Sequence, residues 1–293
     1  MQQTFKFAAL LGGSALLLAA CGNKAEVETP DGAVIVEAEA PMTLTEVLVD
    51  PRRDDERARD QYRNPKETLE FFDIKPGQKV AEIWPGWYTN VIAPYVADNG
   101  GTYVAVLYPE GVSDRLDTRV ASYKEKYADS EVYGDIQYGS FLYNEGEKVG
   151  QIAADNSLDM ILTFRNVHNW MGRGYQDQAM ADFYAALKPG GTLGIVEHRL
   201  PETAVQDPKG STGYVQESYM KDMAERAGFE FVASSEVNAN PLDTADHPFG
   251  VWTLKPRLRQ PKEGSVEAAD FNAAAFANIG ESDRATLKFR KPK

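Results

Sequence analysis

The stretch KVAEIWPGWYTN at residues 79–90 decides the fold, because a short apolar strand in it ends at an acidic residue and turns directly into a helix. The apolar first half follows a Lys-Pro-Gly turn at residues 75–77, which is typical of the start of a strand. The apolar residues between positions 91 and 96 fall on one helical face. Such a turn binds nucleotide-like ligands where glycines let them approach the backbone N–H groups at a helix N-terminus. Here the turn contains a single glycine, Gly86.

Strand and helix patterns alternate along most of the chain. A helix is predicted to open at residues 64–67, where Asn, Pro and Glu stand in the order of a helix start. Strands are predicted near residues 79–84, 102–108, 131–138, 158–164, 191–198, 229–237 and 284–290, with helices near 88–98, 114–127, 175–187 and 214–227. This alternation predicts a parallel sheet with helices on both faces.

The composition is that of a globular protein with an acidic surface. The chain has 293 residues and 43% hydrophobic content, which is enough for a buried core. Its formal net charge of -13 disfavours nucleic acid as a partner, since phosphate binding needs clustered Lys and Arg. Residues 22–50 carry seven acidic residues against a single lysine. We therefore predict an acidic flexible tether at 21–51, ahead of one folded domain at 52–291.

The N-terminus is predicted to be a targeting segment, because the apolar run at residues 7–20 is too short to span a membrane. The run leads into Leu-Ala-Ala-Cys at residues 18–21, which resembles the lipobox of bacterial lipoproteins. The resemblance implies that residues 1–20 are a signal peptide and that Cys21 carries a lipid anchoring the protein to the cell envelope. Gly22 favours the outer membrane, facing the periplasm. Cys21 is the only cysteine, which excludes an intrachain disulfide and a cysteine-based metal site.

Polar residues that follow the predicted strands are candidates for a site, because ligands bind at the carboxyl ends of parallel strands. All three histidines of the chain, His168, His198 and His247, have such positions. An imidazole has an ordinary pKa of about 6.5 and suits a general base, so His168 or His198 is a candidate for that role. Alternatively, the histidines can hold zinc together with Glu197 or Asp246, although no two of these ligands have the spacing of a helical zinc motif.

The segment LKPGGTLG at residues 187–194 combines a helix end, a Pro-Gly-Gly turn and a strand. Together with Glu82, Gly86 and Asp159 it resembles the class I S-adenosylmethionine-dependent methyltransferases. A closer resemblance, over residues 52–291, is to a family of exported predicted methyltransferases. The segments that carry it are residues 57–72, 82–89, 163–170, 187–199, 234–247 and 280–284.

The resemblance implies a Rossmann-like, seven-stranded, mostly parallel sheet and S-adenosylmethionine as cofactor. Its methionine end would face Glu82 and Gly86, and an aromatic face of the turn would meet the sulfonium. The residues implied to bind cofactor are Glu82, Trp84, Gly86, Trp87, Tyr88 and Glu110. The residues implied to bind substrate, a small molecule or an envelope component, are Arg165, Asn166, Asn169, Trp170 and His247. We predict His168, His198 and Glu197 as the catalytic residues, with His168 or His198 as the base, and residues 238–281 as an excursion over the strand ends.

Three features of the chain depart from this family. The turn at Gly86 lacks two glycines that the family usually has, and Tyr108 and Pro109 follow the second strand where an acidic residue normally binds the ribose. The third strand ends in Tyr-Gly-Ser at residues 138–140, without an acid for the adenine. Two alternatives therefore stay open: a cofactor-free methyltransferase-like protein that binds an envelope ligand, and a metal-assisted hydrolase that uses the histidines.

Overall fold

The structure is a computed structural model that describes residues 40–293 and two short strands before them. The predicted signal peptide and Cys21 lie outside the described residues. The chain divides into two compact units, Met1–Pro41 and Met42–Lys293. In the first unit, strands β1 (Glu26–Glu28) and β2 (Val34–Val36) pair antiparallel.

The second unit alternates helices and strands. Its helices are α1 Leu44–Val49, α2 Asp60–Arg63, α3 Pro65–Phe71, α4 Thr89–Asp98, α5 Asp114–Lys126, α6 Ser130–Tyr133, α7 Val167–Arg173, α8 Gln176–Ala186, α9 Glu217–Arg226 and α10 Ala273–Ile279. Its strands are β3 Lys79–Ile83, β4 Thr102–Leu107, β5 Gln137–Ser140, β6 Leu142–Asn144, β7 Glu147–Val149, β8 Leu158–Phe164, β9 Leu187–His198, β10 Glu230–Ser235, β11 Pro248–Val251 and β12 Arg284–Arg290.

Seven of these strands form one sheet in the order β5-β4-β3-β8-β9-β12-β10. The strands from β5 to β9 pair parallel to one another, and β12 runs antiparallel to both of its neighbours. The predicted Rossmann-like, mostly parallel sheet of seven strands is therefore confirmed. The chain builds outward from β3 to β5 and then returns to place β8 beside β3, so the order reverses between these two strands. Ligands of open α/β sheets bind at this switch point, outside the carboxyl ends of the strands.

Apolar side chains on the two sides of the sheet form two separate cores. Successive side chains of a strand point to opposite faces, and in β8 Ile161 belongs to one core while Met160 and Leu162 belong to the other. One core is shared with α1, α3, α4 and α5, and the other with α7, α8 and α9. Helices thus cover both faces, which keeps the backbone groups of the parallel strands away from water.

The structure differs from the sequence-based expectations in three places. Leu44 and Val47 of α1 are buried in the folded unit, which therefore begins at Met42 and includes ten residues assigned to the tether. The third strand of the sheet is β5, preceded by helix α6, because the apolar pattern at 131–138 is shared between a helical turn and a strand. Asn64 precedes helix α3 as expected, but its Nδ2 donates to the carbonyl of Val237 and does not cap the helix.

Among the helices in the described ranges, none combines the length and the apolar content needed to cross a bilayer.

Gly194 provides a test of the packing between the sheet and α3. A Cβ at this position would lie 2.6 Å from Leu162 Cδ2 and 2.9 Å from Phe72 Cδ1. Because overpacking a dense core costs about 1–3 kcal/mol, we expect Gly194→Ala to lower the free energy of unfolding by that amount in urea denaturation. Gly172→Ala is the matched control, since its Cβ would meet Lys209 O at an ordinary 3.5 Å and alanine favours the helix. Equal stability of the two variants would contradict this packing.

Candidate functional site

A cavity of about 340 Å³ lies at the carboxyl ends of β3, β4, β8 and β9. It is therefore placed at the switch point of the sheet. Residues 251–257, from the segment expected to pass over the strand ends, line part of it. Of the predicted site residues, Glu82, Trp84, Gly86, Trp87, Tyr88, Arg165, Asn166, His168, Asn169 and His198 line this cavity.

Glu82, at the end of β3, is the acidic residue of the strand-to-helix turn and is 2% exposed. Its carboxylate accepts hydrogen bonds from Tyr103 Oη at 2.7 Å, Thr89 Oγ1 at 3.2 Å and the backbone N–H of Gly86 at 3.3 Å. Burial raises the pKa of Glu82 to about 7, against the opposing effect of these hydrogen bonds. The side chain is thus held in one position and changes its charge near neutral pH.

The turn itself combines an open glycine with a strained tryptophan. A Cβ at Gly86 would meet no atom within 4 Å, so the backbone there is accessible to a ligand. Trp84 has a φ of +47°, a conformation that costs an L-residue free energy unless the surroundings stabilise it. Its indole stacks on Tyr108 at 4.5 Å between centroids, and Nε1 donates to Phe141 O at 3.0 Å. The indole therefore fills the space between the ends of β3 and β4.

Trp87 and Tyr88 follow in the turn, and their aromatic faces contact other side chains of the protein. The guanidinium of Arg63 lies 4.7 Å from the centre of the Trp87 ring. The Tyr88 ring stacks on Phe164 at 3.7 Å, and its hydroxyl donates to Arg63 O at 2.7 Å. Packing thus accounts for these two faces, which leaves little aromatic surface for a sulfonium.

Glu197 and His168 form a buried hydrogen-bonded pair between β9 and α7. The Glu197 carboxylate accepts from the backbone N–H of Val167 at 2.6 Å and of His198 at 2.9 Å, and it lies 3.1 Å from His168 Nδ1. An ionised carboxylate only accepts hydrogen bonds, so we assign the hydrogen to Nδ1 of His168. The Nε2 atom is then free to accept a proton, and Glu197 would stabilise the imidazolium that forms.

His198 has a different environment although the two imidazole centroids are 5.6 Å apart. Its Nδ1 contacts Ser282 Oγ. Burial first, and then His168 and nearby arginines including Arg165, lower the pKa of His198 well below its usual value. His198 is therefore neutral at pH 7 and a weak base. The geometry distinguishes the two candidates and favours His168 as the proton acceptor.

Four arginines, Arg59, Arg63, Arg165 and Arg284, form what we call the arginine cluster. Glu281 accepts from Arg59 Nε at 2.6 Å and from Arg63 Nε at 3.0 Å, and it also contacts Arg284. Burial alone would raise the pKa of Glu281, but Arg284, Arg63 and Arg59 lower it to about 2. Glu281 is therefore ionised at neutral pH. Arg165, at the end of β8, makes no side-chain hydrogen bond or ion pair with any described residue.

Arg63, Glu281 and Arg284 had no predicted role, although residues 57–72 and 280–284, which contain them, carry the family resemblance. The available signal was local charge: five arginines occur within residues 52–63 of a chain that is acidic overall.

Four predicted site residues do not line the cavity: Glu197, which contacts His168, and Glu110, Trp170 and His247. Glu110 is on the surface, 66% exposed, and pairs with Lys124 at 2.6 Å. Trp170 is fully buried among aromatic side chains such as Phe141. His247 lies 2.7 Å from Asp243 Oδ1, which also accepts from Tyr214 Oη, and this group is outside the cavity lining. These positions favour packing and hydrogen bonding over ligand contact.

The ligand atoms of His168, Glu197 and His198 lie within 4.8 Å of one another, so a metal site requires consideration. The Glu197 oxygens already accept backbone N–H groups, and arginines surround His198. Both features oppose a cation. Asp246, the other proposed ligand, binds the Thr244 hydroxyl instead. The donor set thus suits a hydrogen-bonded pair better than a zinc ion.

The cavity lining fits one end of S-adenosylmethionine. The buried carboxylate of Glu82 matches the ammonium group of its methionine part, and the open backbone at Gly86 leaves room for that part beside the carboxylate. At the ribose end, Tyr108 follows β4 and stacks on Trp84, while Glu110 lies on the surface. The ribose hydroxyls would therefore have to find partners other than the acidic residue usual at this place.

No protein-family model matches the chain, and no curated protein does. The similar solved structures include the cyclase SpnF, with 18% identity over 78% of this chain and 80% of that chain and a TM-score of 0.48. They also include Haemonchus contortus phosphoethanolamine N-methyltransferase 2 in complex with S-adenosyl-L-methionine, at 15% identity, 86% and 60% coverage and a TM-score of 0.46. A third is a possible exported protein from Bordetella parapertussis, at 15% identity, 80% and 68% coverage and a TM-score of 0.42. Likeness at this level concerns the fold alone, and activity has to be argued from the site.

Glu82 makes stability depend on pH in a direction that can be measured. Between pH 4.5 and 7 the folded protein holds a proton on Glu82 that the unfolded chain has released, so this group lowers the free energy of unfolding as pH rises. We expect Glu82→Gln to gain stability relative to wild type across this interval, by roughly 3 kcal/mol at most. Urea denaturation at several pH values measures the difference. His198, whose pKa is lowered by folding, changes the free energy of unfolding with pH in the opposite direction. Because both proteins contain His198, its contribution cancels when they are compared.

Glu110→Gln is the control for this measurement, because its carboxylate is exposed and Lys124 lowers its pKa. This variant should show no gain between pH 4.5 and 7. A constant difference between Glu82→Gln and wild type at every pH would contradict the buried, protonated state of Glu82.

Proposed function

We propose that the protein is an S-adenosylmethionine-dependent methyltransferase whose acceptor is a small molecule or an envelope component. The observation that supports this function is that Glu82 and Gly86, and His168 of the His168–Glu197 pair, line the same cavity at the switch point. The first pair suits the methionine part of the cofactor. The second supplies a base for the acceptor.

Held at Glu82 and Gly86, S-adenosylmethionine would supply an electrophilic methyl group for the acceptor and would keep the electron pair of the methyl–sulfur bond. Nε2 of His168 takes the proton of the acceptor, and Glu197 stabilises the resulting imidazolium. Asn166 donates from Nδ2 to Ile83 O at 2.9 Å, which fixes the end of β8 against the end of β3. The cavity residues at the ends of β3 and β8 are therefore fixed relative to each other, as in-line methyl transfer requires.

Residues 251–257 support this function because they partly enclose the cavity. Trp252 packs edge-on near His168, with 6.1 Å between ring centres. Excluding water from the acceptor strengthens the hydrogen bonds of the base and limits competing hydrolysis.

The second candidate is a methyltransferase-like protein that binds an envelope ligand without cofactor. The Trp84–Tyr108 stack favours it, because an indole occupies the space beside the end of β4.

Isothermal titration of S-adenosylmethionine into the purified full chain separates the two candidates. The methyltransferase should bind it, and Glu82→Ala should weaken binding about tenfold or more through loss of a charged partner. His168→Gln should retain binding but reduce formation of S-adenosylhomocysteine with envelope extract by about 10²–10⁴-fold. His247→Gln, outside the cavity, is the matched control and should change neither. Absence of heat at millimolar S-adenosylmethionine would contradict the methyltransferase and favour the second candidate.

We also propose that the protein is an exported lipoprotein anchored through Cys21, in the outer membrane facing the periplasm. The support is the apolar run at residues 7–20 followed by Leu-Ala-Ala-Cys and the acidic segment after it. Such an anchor would hold the protein at a membrane surface without a spanning helix.

Lipidation at Cys21 can be tested by phase partitioning in detergent and by mass spectrometry of the N-terminal peptide. Wild-type protein should enter the detergent phase and carry acyl chains on Cys21, whereas Cys21→Ser should remain aqueous. Ser14→Ala is the control, because it changes a hydroxyl within the apolar run without touching the cysteine. A Cys21→Ser protein that still enters the detergent phase would contradict the anchor.

A further inference from the structure

The cavity has a charge opposite to that of the protein as a whole. The chain carries 44 acidic and 31 basic residues. Among the described residues that line the cavity, however, five are basic and only Glu82 is acidic. The basic residues are Arg63, Arg119, Arg165, Lys255 and Arg257. A cationic cavity in an acidic protein indicates a ligand with negative charge.

Two members of the arginine cluster, Arg63 and Arg165, belong to this lining, and Arg63 is the most buried of the five basic residues. Arg63 is 1% exposed, and its Nη2 atom has no hydrogen-bond partner among the described residues. The same is true of Arg59 Nη2 and Arg284 Nε. Buried donors and charges are normally paired, since an unpaired one loses its hydration without compensation. The unpartnered donors of Arg63 and the other arginines therefore require an explanation.

Glu281 does not neutralise the cluster. It is the carboxylate that contacts Arg59, Arg63 and Arg284, and one negative charge cannot balance three positive ones. Arg165 adds a fourth guanidinium, which lines the cavity and makes no side-chain hydrogen bond or ion pair with any described residue. The mutual repulsion is visible in Arg63, whose pKa is lowered to about 8 by burial and then by Arg165. An anion at this place would supply the missing countercharge.

We infer that the cavity accepts a substrate with an oxyanion group, a carboxylate or a phosphate, which binds at Arg63 and Arg165. Guanidinium groups bind both oxyanions with paired hydrogen bonds, so the shared chemistry is what the site recognises. Neutral His198 lies beside these arginines and lines the same cavity, so it can donate or accept a further hydrogen bond. The oxyanion group defines the substrate class of the proposed methyltransferase. That the bound molecule is a substrate rests on the proposed function, whereas the oxyanion site itself does not.

The position of the cluster gives the oxyanion a role in orientation. Arg165 directly precedes the turn into α7 and lies three residues before His168. A substrate held by its anionic group at Arg165 would have its remaining part near Nε2 of His168. The arginine cluster would then position the substrate, and the His168–Glu197 pair would act on it.

The test is titration of inorganic phosphate into the full chain, with chloride at equal ionic strength as the reference. We expect phosphate, but not chloride, to raise the melting temperature by a few degrees near saturation, because a ligand of the folded state stabilises it. Arg165→Gln should weaken the apparent phosphate affinity about tenfold, as expected for a charged hydrogen-bond partner. Arg165→Lys keeps the charge and should retain part of the affinity. Partial binding by this variant would show that the loss in Arg165→Gln does not reflect misfolding.

Arg290→Gln is the matched control, because Arg290 is exposed at the opposite end of the sheet, at the last residue of β12. It should bind phosphate like wild type. Equal effects of phosphate and chloride, or equal losses in Arg165→Gln and Arg290→Gln, would overturn the inference. A parallel titration with acetate shows whether the site prefers a carboxylate to a phosphate.

A competition with S-adenosylmethionine separates this inference from the proposed function. If phosphate and S-adenosylmethionine bind together, both stand. If they exclude each other, the arginines hold the cofactor's own carboxylate, and the inference about the substrate is overturned. If phosphate binds and S-adenosylmethionine does not, the oxyanion site stands and the methyltransferase function fails. The opposite result leaves the function and removes the oxyanion site.

Discussion

The burial of Glu281 among arginines ties together two parts of the chain that are more than 200 residues apart. Arg59 and Arg63 belong to the segment before the first strand of the sheet, whereas Glu281 lies three residues before the start of the last one. Each guanidinium would be expensive to bury alone, and the shared carboxylate reduces that cost without removing it. Segments near the start and the end of the folded unit thus meet beside the switch point. The positive charge that Glu281 does not neutralise contributes to the cationic character of the cavity.

Two adjacent histidines show how burial and neighbouring charge divide chemical roles. His168 contacts the carboxylate of Glu197, whereas His198 contacts a serine and faces arginines. The same imidazole group is therefore suited to accept a proton in one position and to remain neutral in the other. Glu197 is held by backbone N–H groups at the start of α7, so its own position depends on the helix. The short helix α7 is therefore needed for the hydrogen bond between Glu197 and His168, and not only for core packing.

The fold was largely predictable from the sequence, because alternating apolar patterns fix strands and helices whatever their partners are. The central strands and the long helices were predicted within a few residues, and α7 was missed because its seven residues contain too few turns to show a period. The cavity residues of the turn and of β8 were also predictable, since carboxyl ends of parallel strands share an edge. Arg63 and Glu281 were not, because their contact depends on how two distant segments pack. Glu110 and His247 show the same limit of prediction. Both follow predicted strands in the sequence, yet the packing of the chain places them outside the cavity.

The contrast between an acidic exterior and a cationic cavity has a consequence for the approach of an anionic molecule. Far from the protein, the net charge of -13 repels it, and close to the opening the arginines and Lys255 attract it. Salt screens the first effect more than the second, because surface charges act over distances beyond the Debye length of about 8 Å. Encounter with an anion would thus become faster as ionic strength rises from low values, which is the reverse of ordinary electrostatic steering. The repulsive exterior would also keep the cavity from collecting polyanions, whose many charges feel the whole surface at once.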